Sequence, residues 1–133
     1  MTEKELQEKL LIYRILEANF NSLMKEREML LAKLVEIQTT LQSIEEIKKS
    51  DNILFAIGSE AYAFGKIKEK EKLIVEVGSG VALEKTFEEA KKTLDKRRLE
   101  IEKTLNEVER NIIEISSKLQ ELAPEIEKLA KSG

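Results

Sequence analysis

Apolar side chains recur about every 3.5 residues over two long stretches of this chain, one at each end, and that repeat leaves few possible folds. In the first stretch the a positions are Leu6, Tyr13, Phe20, Arg27, Leu34 and Leu41, and the d positions are Leu16, Leu23, Leu30, Ile37 and Ile44. In the second, d is Phe87, Leu94, Ile101, Val108, Ile115, Leu122 and Leu129, and a is Lys91, Arg98, Leu105, Ile112, Leu119 and Ile126. Such a repeat gathers the apolar groups into a narrow stripe, and a stripe is buried only against a second helix. The segment between them lacks the repeat, so it must turn the chain back. The expected fold is mainly α with a small β portion: a long antiparallel two-helix coiled coil with two β-hairpins at its bend.

Composition agrees with a thin core. Of 133 residues, 41% are apolar and 37% charged, with no tryptophan and one proline, Pro124. A coiled coil needs only about two apolar residues in seven. The length predicts a single domain spanning 1–133, with a helix over 1–49, hairpins over 53–85 and a helix over 87–131. The net charge of −3, from 26 acids and 23 bases, is well interspersed. It predicts neither nucleic acid nor a membrane surface as partner. The opening Met1-Thr2-Glu3-Lys4-Glu5 lacks the apolar core of a signal peptide, and the short aliphatic runs cannot span a bilayer.

Local signals divide the chain further. Thr2 with Glu5, and Thr86 with Glu89, have the spacing of a capping box, in which hydroxyl and carboxylate each take a free backbone N–H. Ser50-Asp51-Asn52 offers side chains that compete with helical hydrogen bonds, which ends the first helix. Strand character follows over 53–57, 61–68, 72–77 and 81–85. Leu73, Val75 and Val77 alternate with Lys72, Ile74 and Glu76, the pattern of a strand with one buried face. The hairpin turns are expected near 58–60 and 78–80. Pro124 falls at an outward position and is expected to kink or interrupt the second helix.

If Lys49 sits across from Phe87, Leu34 faces the region of Glu102 and Leu6 faces Ala130. Lys91 then lies near Glu45, and Arg27 near Glu107 or Glu109. Both termini would meet at the tip opposite the β segment. Two isolated hairpins leave strand edges with unpaired backbone groups. We therefore expect oligomerisation through Ile53, Phe55, Ile57, Tyr62, Phe64, Leu73, Val75, Val77, Val81 and Leu83.

Other chemistries fit poorly. Gly78-Ser79-Gly80 lacks the third glycine and the immediate helix of a dinucleotide loop, and glycine there suits a hairpin turn. Lys91, Lys92 and Lys96-Arg97-Arg98 form a basic cluster, but Glu88, Glu89 and Asp95 dilute it to a solvated helix face. Glu45-Glu46 and Glu88-Glu89 have no cleft to shift their pKa values. The chain has no histidine and no cysteine, which removes the commonest proton shuttle, transition-metal ligands and thiol chemistry. No catalytic residue, cofactor or metal is expected.

Residues 75–90, from Val75-Glu76-Val77-Gly78-Ser79-Gly80 through Thr86-Phe87-Glu88-Glu89-Ala90, resemble the most recognisable segment of the α-type subunits of the prefoldin family, and Ile57-Gly58-Ser59 resembles their first-hairpin turn. The resemblance implies the α type because β-type subunits carry one hairpin. It also implies an assembly of two α-type and four β-type subunits, a hexamer whose hairpins build an oligomeric β-barrel platform. From that platform the coiled coils project, hold unfolded client polypeptides without ATP, and pass them to a group II chaperonin in the cytoplasm. The apolar residues near the tip, Leu6, Leu10, Leu11, Ile12, Leu122, Ile126 and Leu129, are then the expected client contacts. Three adjacent apolar residues, Leu10 to Ile12, cannot all face one helix, so some must be exposed. From a different class, the same sequence also suits a structural module that self-assembles through its hairpins into a scaffold or filament.

Overall fold

A computed structural model describes residues 2–132, with side chains from 3 to 132. In chain order it contains α1 (Thr2–Lys49), β1 (Ile53–Gly58), β2 (Ala61–Gly65), β3 (Lys72–Gly78), β4 (Val81–Thr86) and α2 (Phe87–Ser132). The chain forms two compact units, residues 1–33 with 101–133, and residues 34–100.

In the first unit the start of α1 runs antiparallel to the end of α2. The heptad positions account for what is covered. Leu105 and Val108 are buried, and Leu6, Tyr13, Phe20 and Leu23 are half-buried, as are Ile112, Ile115 and Leu122. With only two helices no third layer closes over the stripe, so most seam residues keep one side open. Lys9, at a d position, donates to Glu125 at 2.8 Å, and Arg27 to Glu109 at 3.4 Å. Arg27 thus takes one of the two expected partners. A basic residue in an apolar seam fixes register where it finds its acid.

Pro124 does not interrupt α2, which continues to Ser132. Proline removes one intrahelical hydrogen bond and crowds the carbonyl four residues back. Here Pro124 and Gln120 both lie on the exposed side, where water can take that carbonyl. The Thr2 half of the first capping box lies outside the described side chains.

The second unit holds most of the buried apolar residues among those described. Ile44, Phe87 and Leu94 are buried together, with Ile37, Leu41, Ile47 and Leu73 against them. Ala90 is fully covered, a small residue where larger ones would hold the elements apart. The Lys48 ammonium lies 5.5 Å from the Phe87 ring centre, close enough for a cation–π attraction. Lys91 pairs with Glu45 as the heptad alignment predicts, and Lys48 reaches Glu88 at 3.4 Å.

The strands form two separate antiparallel hairpins, β1 with β2 and β3 with β4. Leu54 faces Phe64 and Ala56 faces Tyr62 in one; Val75 faces Leu83 and Ile74 faces Glu84 in the other. The strand expected over 61–68 ends at Gly65. Its partner β1 begins at Ile53, which pairs with Gly65, so residues 66–68 have nothing to pair with. Instead Lys70 in the following loop donates to Asp51 at 2.7 Å and to the Ser50 carbonyl at 3.3 Å. Ser50 ends α1 as expected, its hydroxyl donating to the Asn52 carbonyl at 2.8 Å.

Both turns use two residues of positive φ after a bulged glycine: Ser59 and Glu60 follow Gly58, and Ser79 and Gly80 follow Gly78. Glu60, at φ 63, sits where the second turn has glycine. A left-handed conformation costs a residue with a Cβ about 1–2 kcal/mol. Glu60→Gly is therefore expected to raise the melting temperature, whereas Gly80→Glu lowers it. A fall on Glu60→Gly in thermal denaturation would show that the Glu60 side chain compensates for the strain.

Candidate assembly surface and helix-end surface

The hairpins carry large apolar groups that their own chain does not cover. On the first, Leu54, Tyr62 and Phe64 share one face through the cross-strand pairs. Phe64 is 87% exposed, and Leu54 and Tyr62 are also exposed. The opposite face carries Ile53, Phe55, Ala63 and Gly65. The Phe55 ring lies over Gly65, where an added Cβ would stand 2.7 Å from it, so glycine is what lets the ring fold flat on the strand.

On the second hairpin Leu73 and Val75 are half-buried on the face turned to the helices. Val77, Val81 and Leu83 remain exposed, so the expected buried face of this hairpin is only half covered. Ile74, on the opposite face, is 74% exposed. Arg97 fastens this hairpin to α2, its guanidinium donating to the Glu76 carbonyl at 2.6 Å.

Of the assembly residues expected from sequence, Phe55, Ile57, Tyr62, Phe64, Val77, Val81 and Leu83 stand exposed, while Ile53, Leu73 and Val75 are half-buried. Two exposed residues escaped the pattern, Leu54 and Ile74. A signal for Leu54 was available: the unbroken apolar run from Ile53 to Ile57 is the mark of a strand covered on both faces. Ile74 alternates in phase with Lys72 and Glu76, and so read as solvent-facing.

Two grooves open beside the end of α1. One, of about 620 Å³, is bordered by Ile47, Ile53, Phe55 and Ile67; the other, of about 400 Å³, by Ile44, Ile47, Leu73, Val75 and Leu94. Polar groups share both linings, Ser43, Glu46, Ser50 and Asn52 in the first and Thr40, Ser43, Glu76 and Arg97 in the second, and each groove lies next to a strand with a free edge.

At the outer end of the first unit, Leu6, Leu10, Leu122, Ile126 and Leu129 are half-buried in the seam, and Leu11 and Ile12 are exposed. The triple Leu10-Leu11-Ile12 thus splits as its spacing requires.

The charged groups brace the fold. Hydrogen bonding from Lys91 holds Glu45 below the ordinary carboxylate range, and the same bond raises Lys91. Lys70 lowers Asp51 in the same way. Glu89 is lowered by the Thr86 hydroxyl and backbone: the Thr86 N–H donates to Glu89 at 3.2 Å, and the Glu89 N–H to the Thr86 hydroxyl at 3.1 Å. That is the predicted capping box closed from both sides. Carboxylates held ionised and a lysine held protonated are poor proton shuttles at neutral pH. Within the basic cluster, Lys91, Arg97 and Arg98 have protein partners, and Lys92 and Lys96 face outward. Among the described residues no group of three or more acids has metal-binding geometry, and no helix is long and apolar enough to cross a membrane.

A pH dependence follows from the cap. Glu89 has its pKa depressed in the folded chain, so its contribution is complete above the unfolded value, near 4.5, and is lost as pH falls through the lower folded value. The difference in melting temperature between the native chain and Glu89→Ala is expected to shrink between pH 7 and pH 3. A difference that stays constant would mean that the ionised carboxylate contributes nothing to the cap.

Three comparisons bear on these surfaces. The family model described as "Prefoldin subunit" matches residues 16–132. A protein named "Prefoldin subunit alpha" from Pyrococcus horikoshii is 35% identical over 91 residues, covering 65% of this chain and 62% of that one. A protein of the same name from Archaeoglobus fulgidus is 33% identical over 92 residues, covering 67% of each. The chain therefore matches under two thirds of the length of the Pyrococcus relative. Among solved structures, one described as filamentous PFD from Methanocaldococcus jannaschii superposes with a TM-score of 0.71 at 24% identity, over 84% of this chain and 95% of that one. At that identity the likeness concerns the fold.

Proposed function

This chain belongs to the prefoldin family as an α-type subunit, and from that premise we infer that it is one subunit of an ATP-independent holdase. The family is one of chaperones whose α subunits assemble with β subunits. The observation that carries our reading is the uncovered apolar surface of both hairpins, led by Phe64 and Ile74. Exposed apolar groups beside free strand edges suit strands from neighbouring subunits. We read 1–133 as a single prefoldin-like domain and the platform as two α-type with four β-type subunits, joined in a β-barrel through both hairpins. The two grooves beside α1 are the places where neighbouring strands would lie.

Clients are held, in this proposal, by the outer end of the first unit, through Leu6, Leu10, Leu11, Ile12, Leu122, Ile126 and Leu129. Exposed Leu11 and Ile12 give first contact, and the half-buried seam residues extend it when a client spreads. Removing a few hundred Å² of apolar surface from water is worth several kcal/mol, at ~25 cal/mol per Å². Several coiled coils acting on one chain convert weak contacts into useful avidity. Delivery to a group II chaperonin in the cytoplasm completes the proposed cycle, with no chemical step.

The test is suppression of aggregation. An enzyme diluted from denaturant is followed by light scattering with the assembled complex present. The intact complex is expected to suppress scattering, and Leu10→Ser/Leu11→Ser/Ile126→Ser to suppress it less with assembly unchanged. Trimming roughly residues 1–8 and 125–133 is expected to weaken it further. Unchanged suppression after trimming in every subunit type would move the client site away from the helix ends. A scaffold or filament is the second reading, favoured by the filamentous description of the Methanocaldococcus structure. Long polymers of the purified chain in electron micrographs, with no suppression at several-fold excess, would establish it over the holdase.

A further inference from the structure

The outward side of α1 in the first unit carries a second apolar stripe that neither the seam nor the hairpins use. Leu11, Ile15, Ala18, Ser22 and Met29 follow one another at heptad spacing on the side away from α2. Leu11, Ile15 and Met29 are 60%, 53% and 63% exposed. From Leu11 to Met29 only Lys25 puts a charge into the stripe. The outward side of α2 in the same unit is built differently, with Lys103, Glu107, Arg110, Glu114 and Glu121 in the corresponding positions. A face made only for water would resemble the one on α2.

The flanks of the stripe indicate its occupant. Arg14 and Glu28 lie on one border, both exposed, and neither has an ion-pair partner within the chain among the described residues. Asn21 stands midway between them. A twofold axis at Asn21 that sets a second α1 antiparallel brings each Arg14 opposite the other copy's Glu28. The same register lays Leu11 on Met29 and Ala18 on Ser22, small residues that permit close approach. Ile15 packs along the Lys25 stem while its ammonium reaches water. A parallel copy would instead stack Lys25 on Lys25 inside the seam, which like-charge repulsion opposes.

We propose that this stripe docks a second copy of the chain, α1 against α1 and antiparallel, with Arg14 of each copy on Glu28 of the other. The stripe is about 27 Å long at 1.5 Å per residue, which puts the contact at the weak end of specific interfaces.

The chain has no cysteine, so single thiols report the contact cleanly. In the 133-residue chain, Asn21→Cys places a thiol near the axis, and Ser117→Cys places one on the outward side of α2 as a control. A short bis-maleimide is expected to link Asn21→Cys into covalent dimers about tenfold faster than Ser117→Cys, the gain coming from effective concentration. Adding Arg14→Glu should slow the linking, and adding Glu28→Arg to that variant should restore it, with circular dichroism unchanged throughout. Equal rates for the two thiols would overturn the proposal. So would a failure of the charge-swapped pair to recover, since the antiparallel register demands it. Protection of Asn21→Cys from alkylation by an unfolded protein, without dimers, would assign the stripe to clients and also overturn it.

Discussion

Phe64→Asp combined with Ile74→Asp is expected to abolish assembly while leaving helix content intact. Both side chains are largely exposed, at 87% and 74%, and each belongs to a different hairpin. Neither contributes to the cluster of Ile44, Phe87 and Leu94 that packs the second unit. A charge placed on either costs little in the free chain and several kcal/mol under a neighbouring subunit, where it must lose water without a partner. Size-exclusion chromatography with β-type subunits should give separated subunits, and circular dichroism should be unaltered. An oligomer that survives the double change would put assembly on the helices. Val75→Asp is a poorer probe, because Val75 is half-buried in its own chain and its loss would also loosen the hairpin.

Phe87→Ala is expected to be the most damaging single change to stability. Phe87 is buried where β4 meets α2, it packs in the cluster with Ile44 and Leu94, and Lys48 sits over its ring. Truncating a buried phenylalanine costs about 3–5 kcal/mol. For a chain of this size that is a fall of roughly 10 °C or more in Tm. Leu30→Ala and Ile112→Ala, in a seam that leaves one side of each residue open, should cost less. Thermal denaturation of the three variants orders them directly. A larger loss at Leu30 or Ile112 would mean that the first unit, not the cluster around Phe87, limits stability.

The helices were legible because their information is local and repeats. Leu16, Leu23 and Leu30 mark the covered side of α1 without reference to anything distant, and Leu105, Ile112 and Leu119 do the same for α2. Their alignment was legible too, since basic residues in an apolar seam need acids: Arg27 found Glu109 and Lys91 found Glu45. Thr86 with Glu89, Ser50 and the two glycine-led turns act within a few residues, and they stand where their spacing predicted. Of the kink or interruption expected at Pro124, the interruption does not occur, because a proline rule describes an average helix. On the outward side of α2 the lost hydrogen bond faces water, and the helix continues.

The hairpin faces obeyed a different logic. Alternation along a strand divides its residues into two sets, but which set is covered depends on what packs against the sheet. Alternation placed Ile74 on the solvent side, where it stands, but could not say how much apolar surface it and Leu54 leave uncovered. The end of β2 at Gly65 depends on where β1 starts, and the Phe55 ring needs Gly65 from the facing strand. The sequence by itself determined the two helices, their caps, the turns and the pairing of seam charges, because those follow from spacing within one helix or one turn. Only the tertiary structure decided which apolar groups of the hairpins and of α1 stay uncovered, because burial is a relation between elements that no single stretch of sequence contains.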